Sequence, residues 1–359
     1  MTKSAEATTP QAGPAIAEVA YQRIATEEAW APPELLRIYR DLLDRGAVDD
    51  PGFASLWGFY LSSDSPRWRQ IVERLQDLSE RRLGDMDATG IDKQVVGLTA
   101  PGVQVLDVAT ARSLAALAND QLADAVRRHP DRFAGLAAVA PQHPTAAAAE
   151  LERAVTELGL KGLIVNGHTQ GEYLDDTKFW PIFEAAEALD VPIYLHPAGP
   201  PPSMIQPFVE SGLDGAIYGF AADNGLHLLR LMVRGVFDRF PRLRVVVGHM
   251  GEGLPFWLYR IDYMHQTAQR ANRHPHLRTS ERTPSEYMRE NVYVTTSGVA
   301  WEPAIMFTHS VLGPDRVLYA MDYPYQYVAH EVRTTDAVPM SDEHKKMLFQ
   351  SNAERVFSL

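Results

Sequence analysis

Apolar residues along this chain gather into eight short runs separated by longer amphipathic stretches. The runs cover 23–26, 94–98, 133–139, 162–165, 192–195, 243–247, 292–295 and 317–321. They are rich in Val, Ile, Leu and Ala and nearly continuous in apolarity, which suits parallel strands covered on both faces. Helical periodicity fills the intervals, for example over 67–89, 109–129, 146–158, 179–189 and 226–240. Three of these stop at a helix-ending residue, at Gly90, Pro130 and Gly159. Eight strands alternating with helices predict a (β/α)8 TIM barrel with insertions. Two doubly wound domains are the alternative, but no stretch rich in Pro, Gly or Ser separates them. Residues 21–359 therefore read as one barrel domain. Residues 1–20, rich in Ala, Thr and Pro without an apolar signal core, read as a flexible tail on a cytoplasmic protein.

Polar residues follow the apolar runs in a regular way. The first run ends in Glu27-Glu28, the fourth leads to Asn166-Gly167-His168, and the fifth ends at His196. The sixth ends at Gly248-His249, the seventh at Thr296-Ser297 and the eighth at Asp322. In a barrel of this kind the carboxyl ends of the strands converge on one mouth, where the chemistry sits. A single histidine there is more often structural. Glu, His, His and Asp at equivalent ends of four strands suit a divalent metal such as Mn or Zn, with positions left open for water or substrate. A polar rim without chemistry is the competing reading.

Composition narrows the classes. The formal charge is −12, from 46 acidic and 34 basic residues, which argues against nucleic-acid binding. An anionic substrate must then be drawn in by a local cluster of arginines. There is no cysteine, so disulfides, thiolate metal sites and iron–sulfur clusters are excluded. No apolar run reaches the ~20 residues of a membrane span.

The order of these residues on this fold resembles the amidohydrolase superfamily. Its hydrolases open with His-x-His on strand one, whereas this chain has Glu27-Glu28-Ala29, and Ala29 cannot ligate. Lys161, the one lysine near strand four, stands at that strand's start, the wrong end for a bridging group between two metals. The Glu-Glu-Ala variant points to the decarboxylase branch. Longer stretches extend the resemblance from about Arg23 to the C-terminus: IATEEAW at 24–30, SLWGFY at 55–60, DMDATGID at 85–92, VGHMGEGLPFWLYRIDYMHQ at 247–266, SGVAWEPAI at 297–305 and YAMDYPYQYV at 319–328. The resemblance implies nonoxidative decarboxylation of a phenolic acid, with 5-carboxyvanillate to vanillate foremost, in the catabolism of lignin-derived aromatics. It implies Glu27, His196 and Asp322 as ligands of one divalent ion, manganese first and zinc second, with no organic cofactor. It also implies Arg67 and Arg260 as carboxylate-binding cations, Arg67 first. Arg260 is expected to reach into a neighbouring subunit of a homodimer or homotetramer. His249 is implied as an acid–base residue whose second nitrogen is oriented by Glu252.

Breaking an aryl–carboxylate bond directly would leave an electron pair in an sp2 orbital outside the π system. Protonating the ring carbon first avoids this, and an ortho phenolate favours it. The parts required are a Lewis acid for the phenolate, a proton donor above the ring and cations for the carboxylate. Asp322 and His249 are both candidates for the donor. Core packing is the first expectation for Trp57, Phe59, Tyr60, Trp257, Tyr323 and Tyr325, because aromatics are usually core. Tyr323 and Tyr325 are the best placed of these to line a ring pocket, and His168 and Thr99 to touch substrate oxygens. Two other classes stay open: a mononuclear lactone, amide or ester hydrolase, and a non-catalytic binding barrel.

Overall fold

Every strand pairing in the computed structural model, which describes residues 18–275, 280–328 and 330–359, is parallel. β1 (Ile24–Trp30), β2 (Lys93–Leu98) and β3 (Phe133–Gly135) form one run. The second run, in chain order, is β4 (Ala137–Ala138), β5 (Leu163–Asn166), β6 (Ile193–His196), β7 (Val245–Val247), β8 (Val292–Thr295) and β9 (Val317–Leu318). Two seams close the ring. Leu136 N donates to Val96 O at 2.8 Å and Ala137 N to Gly162 O at 2.7 Å, so β3 and β4 share one strand position. Thr26 N donates to Tyr319 O at 3.1 Å and Ala29 N to Tyr323 O at 2.7 Å, joining the last strand to the first. The result is an eight-position parallel α/β barrel, with the strands' aliphatic side chains buried as covered parallel strands require.

Several boundaries depart from the sequence pattern. The run expected over 133–139 is two strands, because pairing switches at Leu136 from β2 on one side to β5 on the other. β1 continues to Trp30, so Glu27 and Glu28 lie inside it and not beyond it. A register shift against β2 between Ala25 and Glu28 interrupts the alternation, and both carboxylates are buried. The helix expected over 67–89 is two, Pro66–Leu75 and Glu80–Thr89. Asp77 divides them, accepting from Ser79 N at 2.8 Å and Arg82 N at 3.2 Å. Gly90, at φ +69, ends the second in the left-handed conformation that favours glycine. In place of 226–240 stand Gly219–Val233 and Val236–Arg239. Of the expected tail over 1–20, residues 1–17 lie outside the described residues. No helix among the described residues is long and apolar enough to cross a membrane.

Candidate active site

Glu27 projects from β1 into the barrel toward β6 and β8. Its Oε2 accepts from Tyr194 OH in a short hydrogen bond and from Thr295 Oγ1 at 3.0 Å. Its Oε1 is buried without a hydrogen-bond partner. Two ring nitrogens face that oxygen, His196 Nε2 at 3.5 Å and His249 Nε2 at 3.6 Å. His196 Nδ1 lies 2.8 Å from Pro197 O, which can only accept. Nδ1 therefore carries the proton, and Nε2 turns a lone pair toward Glu27. Burial lowers the pKa of this imidazole, against the pull of Glu27.

The chain after β7 makes a turn of left-handed backbone. His249, Met250, Gly251, Glu252 and Gly253 have φ of 51, 56, 74, 55 and 74°. Three of these carry side chains, a costly arrangement that is kept where geometry matters. The turn folds Glu252 back so that its Oε1 lies 3.0 Å from His249 Nδ1. The same oxygen accepts from Asn224 Nδ2 at 3.0 Å, and Asn224 Nδ2 also donates to Leu195 O at 3.1 Å. Burial alone would discharge His249, but Glu252, Glu27 and Asp322 outweigh it and raise its pKa to about 10. Asp322, itself at φ +68, is raised to about 8, first by burial and then by Glu27 and Glu252 against His249.

The candidate substrate groups divide into those near this pocket and those away from it. Arg67 is exposed, with Nη2 3.4 Å from Tyr325 O and its guanidinium 5.5 Å above Trp68. Tyr325 OH and Thr99 Oγ1 share a hydrogen bond of 2.5 Å, and Tyr60 stacks on Tyr325 at 5.7 Å. Buried His168 accepts from Gly171 N at Nδ1, leaving Nε2 without a partner, 4.0 Å from Asp50 Oδ2. His168 lines a recess with Phe53, Trp57, Ala198 and Asp50. Arg260 is exposed on the outer helix Leu254–Arg270. Tyr323 does not line the pocket floor: its OH donates to Asp85 at 2.9 Å, because the turn at Asp322 sends consecutive side chains apart. Phe59 and Trp257 are about half exposed, so the core expectation does not hold for them; both sit on outward helix faces.

Among the described residues no three His, Asp or Glu side chains are already gathered as a closed metal-ligand group. The donor chemistry of the Glu27–His196 pair still fits a cation. A buried carboxylate oxygen with no donor, facing an imidazole lone pair, is the kind of orphan that a bound ion satisfies. Sequence reasoning missed Tyr194, Thr295 and Asn224. The two strand residues carried a signal, since each stands two positions before a polar strand-end residue, His196 or Ser297, and so shares its face. Asn224 carried none, because its contacts cross from a helix to a distant strand and turn.

A parallel barrel with an acid–imidazole cluster at its mouth is the architecture of the amidohydrolase family, to which the chain belongs; the family model matches residues 72–359. Within the family, the chain is similar to the 5-carboxyvanillate decarboxylase of Novosphingobium aromaticivorans, solved with manganese and 4-hydroxy-3-methoxy-5-nitrobenzoic acid. The two are 55% identical with a TM-score of 0.93, covering 95% of this chain and 97% of that one. The 5-carboxyvanillate decarboxylase of Sphingomonas paucimobilis is 40% identical at TM-score 0.89, covering 95% and 100% of the two chains. A gamma-resorcylate decarboxylase from a Polaromonas species is 37% identical over 345 residues, 94% of this chain and 98% of that protein.

Proposed function

We propose that this protein decarboxylates a phenolic aromatic acid without oxidation, 5-carboxyvanillate to vanillate and CO2 foremost. The observation that carries the reading is the buried Glu27 carboxylate, one oxygen fixed by Tyr194 and Thr295, the other facing two imidazoles. The similarity to 5-carboxyvanillate decarboxylases supports the substrate class. Glu27, His196 and Asp322 would hold one divalent ion, manganese first and zinc second, and no organic cofactor is needed. When bound, that ion supplies a Lewis acid for the phenolate oxygen.

The chain's own groups supply the rest. Arg67 grips the substrate carboxylate at the rim, and Tyr325, Thr99 and His168 meet ring oxygens. His249, held against Glu252, and Asp322, whose pKa burial raises, are the two groups at the pocket able to carry a proton. One of them protonates the ring carbon. The carbon–carbon bond then breaks, its electron pair restores aromaticity, and CO2 leaves. We read residues 21–359 as one catalytic domain working in the cytoplasm on lignin-derived acids. Arg260 lies among exposed aromatics on its helix, with Phe256 70% and Tyr259 86% exposed, which supports a homodimer or homotetramer closing over that face. Mass-spectrometric product analysis after incubation with Mn2+ and 5-carboxyvanillate tests the reading. Vanillate and CO2 are expected; opening of a lactone substrate with no decarboxylation would favour the hydrolase instead.

A further inference from the structure

Glu28 takes no part in the chemistry above, yet it is buried as deeply as Glu27. Its carboxylate bridges the seam between β1 and the segment after β9. Oε1 accepts from Met321 N at 3.0 Å, and Oε2 accepts from Tyr323 N at 3.1 Å. These amides flank Asp322, a non-glycine residue in the left-handed region. Ala29 N, next along β1, donates to Tyr323 O at 2.7 Å and fixes the same stretch from the other side. Behind the carboxylate, Gln94 Nε2 lies 3.5 Å from Oε2, and Gln94 Oε1 accepts from Arg82 Nη1 at 3.2 Å. Arg82 is itself buried, donates to Ala29 O at 2.6 Å and lies 4.6 Å above the Tyr323 ring. A buried cation thus backs the clamp without displacing its two amide donors.

We propose that Glu28 is a positioning residue that holds Asp322 in its left-handed turn, through the amides on either side, and so sets the aim of the Asp322 carboxylate. This rests on the reading of Asp322 as a ligand and proton carrier. Glu28→Gln keeps the shape but turns one of the two acceptors into a donor facing a backbone N–H. Glu28→Asp keeps the carboxyl group but is too short to span both amides. Circular dichroism melts establish that each variant folds, and equilibrium dialysis against Mn2+ gives the readout. Each is expected to lose affinity by about 10–100-fold, the scale for removing support from a metal ligand. In an Asp322→Asn background the same changes are expected to cost nothing further. Wild-type affinity in both variants, or an equal loss in both backgrounds, overturns the proposal. If Asp322→Asn alone leaves Mn2+ affinity intact, the ligand reading fails, and the clamp is judged on turnover. Loss of kcat at unchanged KM in Glu28→Gln then sustains it, and a wild-type kcat overturns it.

Discussion

Replacing Gly248 with alanine adds one methyl group where the Glu27 carboxylate already lies. A Cβ at this position would stand 2.8 Å from Glu27 Oε1, 2.9 Å from its carboxyl carbon and nearer still to Oε2. Gly248 has φ −69° and ψ −176°, a conformation open to any residue, so the penalty is purely one of space. The backbone has little room to retreat. Gly248 O accepts from Gly251 N at 2.8 Å, the hydrogen bond that starts the left-handed turn. Glu27 must therefore move, away from Tyr194 OH and Thr295 Oγ1. Hydrogen bonds to a charged group contribute about 1.5–3 kcal/mol each, so losing both costs roughly 3 kcal/mol at the low end. If that displacement falls on the metal-binding geometry, Mn2+ affinity drops about a hundredfold, at about 1.4 kcal/mol per factor of ten. Equilibrium dialysis against Mn2+, with a melt to establish folding, measures it. A folded Gly248→Ala protein with wild-type Mn2+ affinity and turnover would refute the placement of Glu27 beside the ion.

Arg67→Met is expected to lower kcat/KM on the order of 10–100-fold by removing a charge-assisted grip on the carboxylate, with metal content unchanged. Steady-state kinetics at wild-type values would move Arg67 out of the site. His249→Asn should reduce kcat on the order of 10²–10⁴-fold while metal stays bound, the range for losing a general acid or base. In D2O, NMR of the product should show one deuterium, at the carbon that lost its carboxylate; exchange at other ring carbons would contradict a directed proton. Asp223, buried with Oδ2 unpartnered, is raised from 3.8 to about 7, chiefly by burial. The folded protein keeps a proton there that the unfolded chain releases, so stability falls as pH rises from about 4 to about 7. Asp223→Asn should flatten that slope, gaining on the order of a few kcal/mol at pH 8 relative to pH 4 in urea melts, and an unchanged slope would rule out Asp223 as its source.

The strands were legible because parallel strands covered on both faces leave continuous apolar runs, and 292–295 coincides with β8 at both ends. The same logic made Glu27, His196, His249 and Asp322 visible, as polar residues interrupting such runs at one end of the barrel. What escaped has a shared physical cause: local periodicity carries no record of long-range hydrogen bonds. The register shift in β1 is invisible because Glu27 and Glu28 look like any polar pair leaving a strand. Asp77 splits a helix whose apolar spacing runs on across the break. In the turn after β7, Gly251 and Gly253 hint at left-handed backbone, but nothing local predicts that His249, Met250 and Glu252 would join them. Tyr194 could be placed on the same face as His196 by its spacing, but nothing local says that its hydroxyl reaches Glu27.

On the proposed reading, charge in the pocket explains why the carboxylate-binding arginine, Arg67, stands at the rim. Glu27, Glu252 and Asp322 bring as many as three negative charges into a buried space, and His249, drawn toward its charged form, offsets one. A divalent cation between Glu27 and His196 would balance the remaining two. The substrate then adds its carboxylate and, once the phenol ionises, a second charge, while the whole chain at −12 repels it. One more cation is required, but only when substrate is present. In the role proposed for it Arg67 suits that timing, since its guanidinium is exposed beside Tyr325 O and Trp68 and an aromatic acid bound over it would desolvate it. Its attraction is then greatest when the bound acid is most negative, after ionisation, which favours the reacting form over the resting one. An arginine buried in advance would instead pair with Glu27 or Asp322 and occupy the place the chemistry needs.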